Sequence, residues 1–258
     1  MWYVIQTKTG EEDKLKILLE NRLSADYYEE CFIPLFESVR HRRERSLIML
    51  KRLLPGYLFI DTEYPVKVHE ALRKIPNFAD VLGVREERDK EKTFLPISKE
   101  DEDFFKSILD NGIMHVSYVH LSKSNKIDKV IGPLEKYRNY IGKMEFRHRY
   151  ATVEAKIFGK RRKIDFGLWT ESDPRLPWLE ERIKGEKDLA GIRKKISAGH
   201  RNMDIYPGDK IEYPEIYGDR VFRVDDVDMN RGLVHTTIEM FGSIRKVEMY
   251  VDCVRKVI

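Results

Sequence analysis

Apolar and aromatic residues crowd the opening MWYVIQT, which reads as a strand, and the period then changes. In EEDKLKILLENRL, Leu15, Leu18, Leu19 and Leu23 recur at helical spacing, with acidic residues in the first turn, where the positive helix end favours them. YYEECFIPLFESVRHRR continues as an extended segment whose Pro34 suits an edge or a bulge, and SLIMLKRLLPGYLFIDT is a second β-rich arm. VKVHEALRKI reads as a helix closed by Pro76, and FADVLGV as a short strand. ISKEDEDFFKSIL starts a third helix, with Ser98 three residues before Asp101 in an N-cap arrangement. Residues 1–111 therefore form an α+β unit that ends at Asn111-Gly112.

Beyond Gly112 the pattern turns to short strands, glycines and β-branched residues, the signature of small β-barrels. KIFGKRRKID (156–165) matches EMFGSIRKVE (239–248) without a gap at an offset of 83 residues, with Phe158 on Phe241, Gly159 on Gly242, Arg162 on Arg245 and Lys163 on Lys246. The pattern predicts a first barrel over 112–172 and a second over 204–258. Between them, residues 173–203 are charged, helix-prone and broken by Gly185 and Gly191, a linker with short helices.

Charge separates the two copies. The net charge of +4 hides a segment from Lys123 to Lys163 with 13 basic and 4 acidic residues, and a segment from Asp204 to Ile258 with 8 basic and 11 acidic. The first favours phosphate backbones and the second does not. With 41% hydrophobic and 36% charged residues the chain is globular, and no apolar stretch reaches the roughly 18 residues of a membrane span, so a cytoplasmic protein is expected. Cys31 and Cys253 lie in apolar runs and read as core thiols, not as a disulfide or a metal site. No glycine-rich phosphate loop, nucleophile elbow or metal-type histidine pair occurs, and Glu11, Glu12 and the run Glu100–Asp103 read as helix-start charges. Neither an enzyme nor a cofactor is expected.

These features carry a resemblance. MWYVIQTKTGEE, the LLPGYLFI motif at 53–60, and the segment from PGDKIEYPEIYG to VDCVRKV resemble the NusG family of transcription elongation factors, in the family's own order. The first barrel, with VIGPLEKYRNYIGKMEFRHRYATVEAKIFGKRRKIDFGL, is similar to the LoaP antiterminators, a specialised branch; the second barrel is a departure from that branch. The resemblance implies an NGN-type antiparallel sheet with flanking helices, followed by two SH3-like KOW barrels. It also implies a monomer that suppresses pausing or termination. A general RNA-binding or ribosome-associated KOW protein that never meets polymerase is the alternative.

Site residues follow from both sources. Leu54, Pro55, Gly56, Tyr57 and Phe59 form an apolar strip that the resemblance assigns to the clamp coiled coil of RNA polymerase. Alternation places Leu54 with Leu58 and Tyr57 with Phe59, unless Pro55-Gly56 bends the ribbon. Arg40, Arg42, Arg43, Arg45, Lys51 and Arg52, with only Glu44 as an acid among them, and His69 and Arg73 on the next helix, are the expected contacts to non-template DNA. Arg147, His148 and Arg149 at one turn and Lys160, Arg161, Arg162 and Lys163 at another are expected to form one basic face for nascent RNA, with Tyr137, Tyr140 and Phe146 as stacking area. For the acidic second barrel, with Asp225, Asp226 and Asp228 at a turn, the resemblance implies a protein partner, a ribosomal protein or the Rho helicase.

Overall fold

The computed structural model describes residues 1–42, 45–75, 85–86, 92–93, 95–122, 127–173, 204–228, 231–240 and 243–257. The N-terminal part runs β1 (Trp2–Gln6), α1 (Glu12–Glu20), β2 (Glu30–Phe32), β3 (Leu35–Arg42), β4 (Arg45–Arg52), β5 (Tyr57–Asp61), α2 (Pro65–Arg73), β6 (Arg85–Glu86), β7 (Lys92–Thr93), α3 (Lys99–Ile108) and β8 (Ile113–Met114). The strand expected over FADVLGV and all but Asp173 of the helical linker expected over 173–203 lie outside the described residues.

One sheet has the order β1-β5-β2, and period-2 alternation divides its side chains between two cores. Tyr3, Ile5, Cys31, Leu58 and Ile60 face α1 and α2, packing on Leu15, Leu19, Val68, Ala71 and Leu72. Val4, Phe32 and Phe59 face the opposite way, toward Phe105 and Ile108 of α3. Each fully buried leucine or phenylalanine in these layers contributes about 1.5–3 kcal/mol. The expected cap of α3 forms: Ser98 accepts from the Asp101 amide at 3.1 Å.

The second sheet, β4-β3-β8, extends away from the first across Pro34. Its third strand comes from beyond Gly112, since β8 pairs parallel with β3 after a turn in which Asn111 and Gly112 both have positive φ. Chain from the expected first barrel thus completes an N-terminal sheet.

The two later units are β9 (Ser117–Leu121), β10 (Ile127–Ile131), β11 (Ile141–Glu145), β12 (Tyr150–Ile157) and β13 (Lys160–Thr170), then β14 (Lys210–Glu212), α4 (Pro214–Tyr217), β15 (Val221–Asp228), β16 (Leu233–Met240), β17 (Ser243–Tyr250) and β18 (Arg255–Val257). The repeat read from sequence is geometric as well. β12 pairs β13 from Tyr150↔Gly167 to Ile157↔Lys160, and β16 pairs β17 from Leu233↔Tyr250 to Met240↔Ser243, the same ladder moved by 83 residues. The bulge between Ile141 and Lys143 recurs between Val224 and Asp226. The copies differ at their edges: β14 pairs with both β15 and β18, whereas β9 pairs parallel with β13, and Arg138 donates to the Ile127 carbonyl at 2.8 Å. The fold is mixed α+β, mostly sheet with few helices. No helix among the described residues is long and apolar enough to cross a membrane.

Both barrels are docked. Val119, Leu134, Val153, Ile164 and Phe166 of the first share one core with Phe32, Leu54 and Phe59. The second meets β3 and β4 through Leu233 and Tyr250 against Leu35, Leu50 and Ile113.

Candidate interaction surface at the apolar strip

The strip around Tyr57 is shaped by Gly56, whose φ of +86° turns the chain between Pro55 and β5. A Cβ there would lie 2.9 Å from the Thr7 carbonyl oxygen, so glycine is required for space as well as for conformation. Glu12, expected as a helix-start charge, is instead buried and accepts from the amides of Gly10 at 2.8 Å and Gly56 at 2.6 Å. Nothing in its sequence context separates it from Glu11. The bend also changes the alternation: Leu54 joins Phe59 in the core shared with the first barrel, while Leu58 faces α1 and α2.

The strip is covered. Leu54 is 3% exposed and Phe59 is 0% exposed; Tyr57 is half-buried and Pro55 exposed. Trp2, Phe32 and Phe105 of the same unit cover Phe59 on one side, and the hairpin tip between β12 and β13 adds the rest. Phe158 lies 5.6 Å from the Tyr57 ring, 6.2 Å from Phe59 and 6.0 Å from Phe105, centroid to centroid. Arg162 donates to the Tyr57 hydroxyl at 2.9 Å, and its guanidinium sits 5.2 Å from that ring's centroid. Phe158, which the sequence offered only as a repeat landmark, is the centre of this contact.

The basic residues divide. Arg147 and His148 are exposed, but Arg149 is buried, gripping the Asp173 carboxylate through Nε at 2.9 Å and bonding Ser172 at 3.0 Å. Lys160, Arg161 and Lys163 are exposed, and Arg162 turns toward Tyr57. The single face of seven side chains does not form. The two turns close opposite ends of β12, and eight residues of strand hold them apart by about 26 Å at ~3.3 Å per residue. The exposed Lys156, opposite Arg161 across the ladder, joins the tip cluster instead. Of the stacking candidates, Tyr140 is exposed at 66%, whereas Tyr137 is packed into the shared core with its hydroxyl 2.6 Å from Ser107 Oγ, and Phe146 also packs on that core.

On the N-terminal unit, Arg40, Lys51 and Arg73 are exposed, while His69 is buried on α2. Arg52 is bound by Asp13 at 2.6 Å and by Glu248 of the second barrel. Burial opposes its charge, but Glu248 and Asp13 more than offset this and hold the guanidinium above its ordinary pKa. Arg43 and the side chains of Arg42 and Arg45 lie outside the described residues. Asp225, Asp226 and Asp228, expected at a turn, are on β15, and the first two are exposed.

Two buried carboxylates missed in the sequence join the units. Glu37, on β3, accepts from the Val116 amide at 2.6 Å and the Tyr250 hydroxyl at 2.6 Å, and lies 3.1 Å from His115 Nδ1. Asp173 accepts from Ser46 of β4 as well as from Arg149 and Thr170. No cluster of metal-ligating side chains occurs among the described residues.

Comparison with known proteins places this geometry. Residues 1–105 match the family model described as transcription termination factor nusG. Curated relatives, each named transcription termination/antitermination protein NusG, include that of Helicobacter pylori, 22% identical over 169 residues covering 64% of this chain and 93% of the relative. That of Rickettsia felis is 24% identical over 65% of this chain and 86% of its own, and that of Thermus thermophilus 25% identical over 64% and 93%. A solved structure concerning domain interaction in Thermotoga maritima NusG aligns over 99% of this chain and 96% of its own at 15% identity, with a TM-score of 0.26, too loose a superposition to add to the argument. Residues 1–105 thus carry the nusG family domain, and the chain is similar to NusG relatives across several bacteria.

Proposed function

We propose that the chain is a transcription elongation and antitermination factor without catalytic activity, which docks on the clamp coiled coil of RNA polymerase through Leu54, Pro55, Gly56, Tyr57 and Phe59. The observation that carries this reading is the nature of the strip's cover. Phe59 packs on Trp2, Phe32 and Phe105 of its own unit, and the side around Tyr57 is closed by a hairpin tip of another module. An apolar strip with a detachable cover suits a helical partner. In the arrangement described here, docking requires the tip to withdraw.

The basic contacts follow the exposed side chains. Lys156, Lys160, Arg161 and Lys163 at the tip, with Arg162 once released, contact nascent RNA in the transcript-selective manner of the LoaP branch. Arg40, Lys51 and Arg73 face DNA phosphates. The acidic second barrel takes a protein partner, a role that Ile244, 76% exposed on β17, supports.

A pull-down of core RNA polymerase with the full chain tests the docking. Phe158→Asp places a carboxylate among three rings and opens the seam, and polymerase retention is expected to rise several-fold, with more readthrough at a terminator in vitro. Retention by neither the wild-type chain nor this variant, with folding confirmed by circular dichroism, overturns the assignment.

A further inference from the structure

A cleft of about 620 Å³ lies between α1 and the strands β15, β16 and β17 of the second barrel, a size that suits a few side chains of a ligand. Its walls come from two modules. Asp13, Lys16, Ile17 and Glu20, three or four residues apart, line it from one face of α1. Asp225, Asp226 and Val227 line it from β15, with Lys246 and Glu248 of β17. The buried Ile33 and Leu35 line it as well, and Ile17, 48% exposed, offers an open apolar side chain.

The charges in this cleft do not cancel. Six carboxylates line it against four lysines and arginines and one histidine. Arg52 is taken by Asp13 and Glu248, Arg231 by Glu30 at 3.3 Å and Asp228 at 3.7 Å, and Lys16 stands 3.7 Å from Glu20. Asp225 accepts from the Thr237 hydroxyl at 2.6 Å, and no ion pair reaches it or Asp226 among the described residues. Their exposure side by side follows from the backbone. Phe222 and Val224 are buried and Arg223 and Asp225 exposed, the alternation of a strand, until the bulge between Val224 and Asp226 breaks it and leaves both aspartates exposed. The first copy has the same bulge 83 residues earlier and carries Gly142 and Lys143 there. The second copy thus holds two carboxylates where the first holds a cation.

We propose that this cleft binds an extended basic segment of a protein partner, with lysine or arginine heads on Asp225 and Asp226 and an apolar neighbour on Ile17. This inference rests on the reading of the second barrel as a protein-binding module. A surplus of carboxylates repels phosphate, so nucleic acid is the wrong occupant. Unpaired acids beside apolar surface call for cations on long aliphatic stems, which lysine and arginine carry. A peptide also sets an apolar side chain next to a cationic one, as Ile17 near the carboxylates requires, whereas a free polyamine offers only methylenes and ammonium groups. Because α1 and β15 belong to different modules, the site is complete only while the second barrel is docked, and a bound segment bridges the two.

The test is fluorescence anisotropy of the full chain at low salt, with a short labelled peptide of lysine, leucine and glycine as probe. Its counterpart with glutamate for lysine, and spermidine as competitor, are the comparisons. The basic peptide is expected to bind, the acidic one not, and spermidine to displace it only weakly. Asp225→Asn and Asp226→Asn together are expected to weaken binding about tenfold, and Ile17→Ser, which changes no charge, several-fold. Asp204→Asn with Asp219→Asn removes the same charge outside the cleft and is expected to leave affinity nearly unchanged. Binding lost in Ile244→Ser but kept in the cleft variants overturns the cleft while the protein-partner reading stands. Spermidine competing as well as the peptide itself, or an equal loss in the Asp204 and Asp219 variant, reduces the contact to net charge and overturns the proposal. Binding that no second-barrel variant weakens, or no binding at all, removes the protein-partner reading and this proposal with it.

Discussion

Gly56 makes the strip possible, since its φ of +86° and the 2.9 Å gap to the Thr7 carbonyl leave no room for a side chain. Gly56→Ala is expected to cost about 1–3 kcal/mol, seen as a lowered midpoint in thermal unfolding. Glu12→Ala strips the Gly10 and Gly56 amides of their acceptor and is expected to cost a similar ~1–3 kcal/mol by the same measurement. Cys31 is a core thiol whose pKa burial pushes up to about 12. The folded state keeps its proton while the unfolded chain releases it near the ordinary thiol value of 9.0, so stability is expected to fall as pH rises from 9 toward 12. Chemical denaturation at stepped pH, with Cys31→Ala as control, checks that slope. The apolar identity of the strip was legible in Leu54, Tyr57 and Phe59; the buried role of Glu12 was not, because its partner amide on Gly56 lies 44 residues away and leaves no mark in the helix-start pattern.

At the scale of elements, helices and strands followed from periodicity because each buries one face on one layer, as Leu15 and Leu19 do on α1. The ladder from Tyr150 to Lys160 and its copy followed from the Phe-Gly pair repeated in the sequence. The expectation of one basic face failed because strand length, not turn composition, decides which loops are neighbours. Arg149 and Lys160 belong to opposite ends of β12. Arg149 consequently does structural work against Asp173, whose carboxylate is fully buried. Arg149→Ala leaves that charge uncompensated and is expected to destabilise the chain by about 3–5 kcal/mol in denaturant titration. RNA affinity, measured where the variant remains folded, should barely change.

For the whole molecule, the two barrels are held by different forces. The first shares an aromatic core with the N-terminal sheet, whereas the second adds to a small apolar patch the pairs Arg52 with Glu248, Arg231 with Glu30 at 3.3 Å, and Tyr250 with Glu37. Partly exposed ion pairs weaken as salt rises. Small-angle scattering is therefore expected to show a larger radius of gyration at high salt, with Glu248→Gln reaching the same expansion at lower salt. None of this docking was legible, since Tyr250 meets Glu37 across 213 residues and hydrophobic patterning reports only that a face is covered, not by which module. Charge segregation between the copies was legible, and the acidic copy is the one whose contact with the N-terminal unit includes ion pairs.

The duplicated ladder bears on how such a protein can be altered. Since every rung from Tyr150↔Gly167 to Ile157↔Lys160 has its twin between Leu233 and Tyr250, exchanging outward side chains between the two hairpins is expected to leave strand pairing intact.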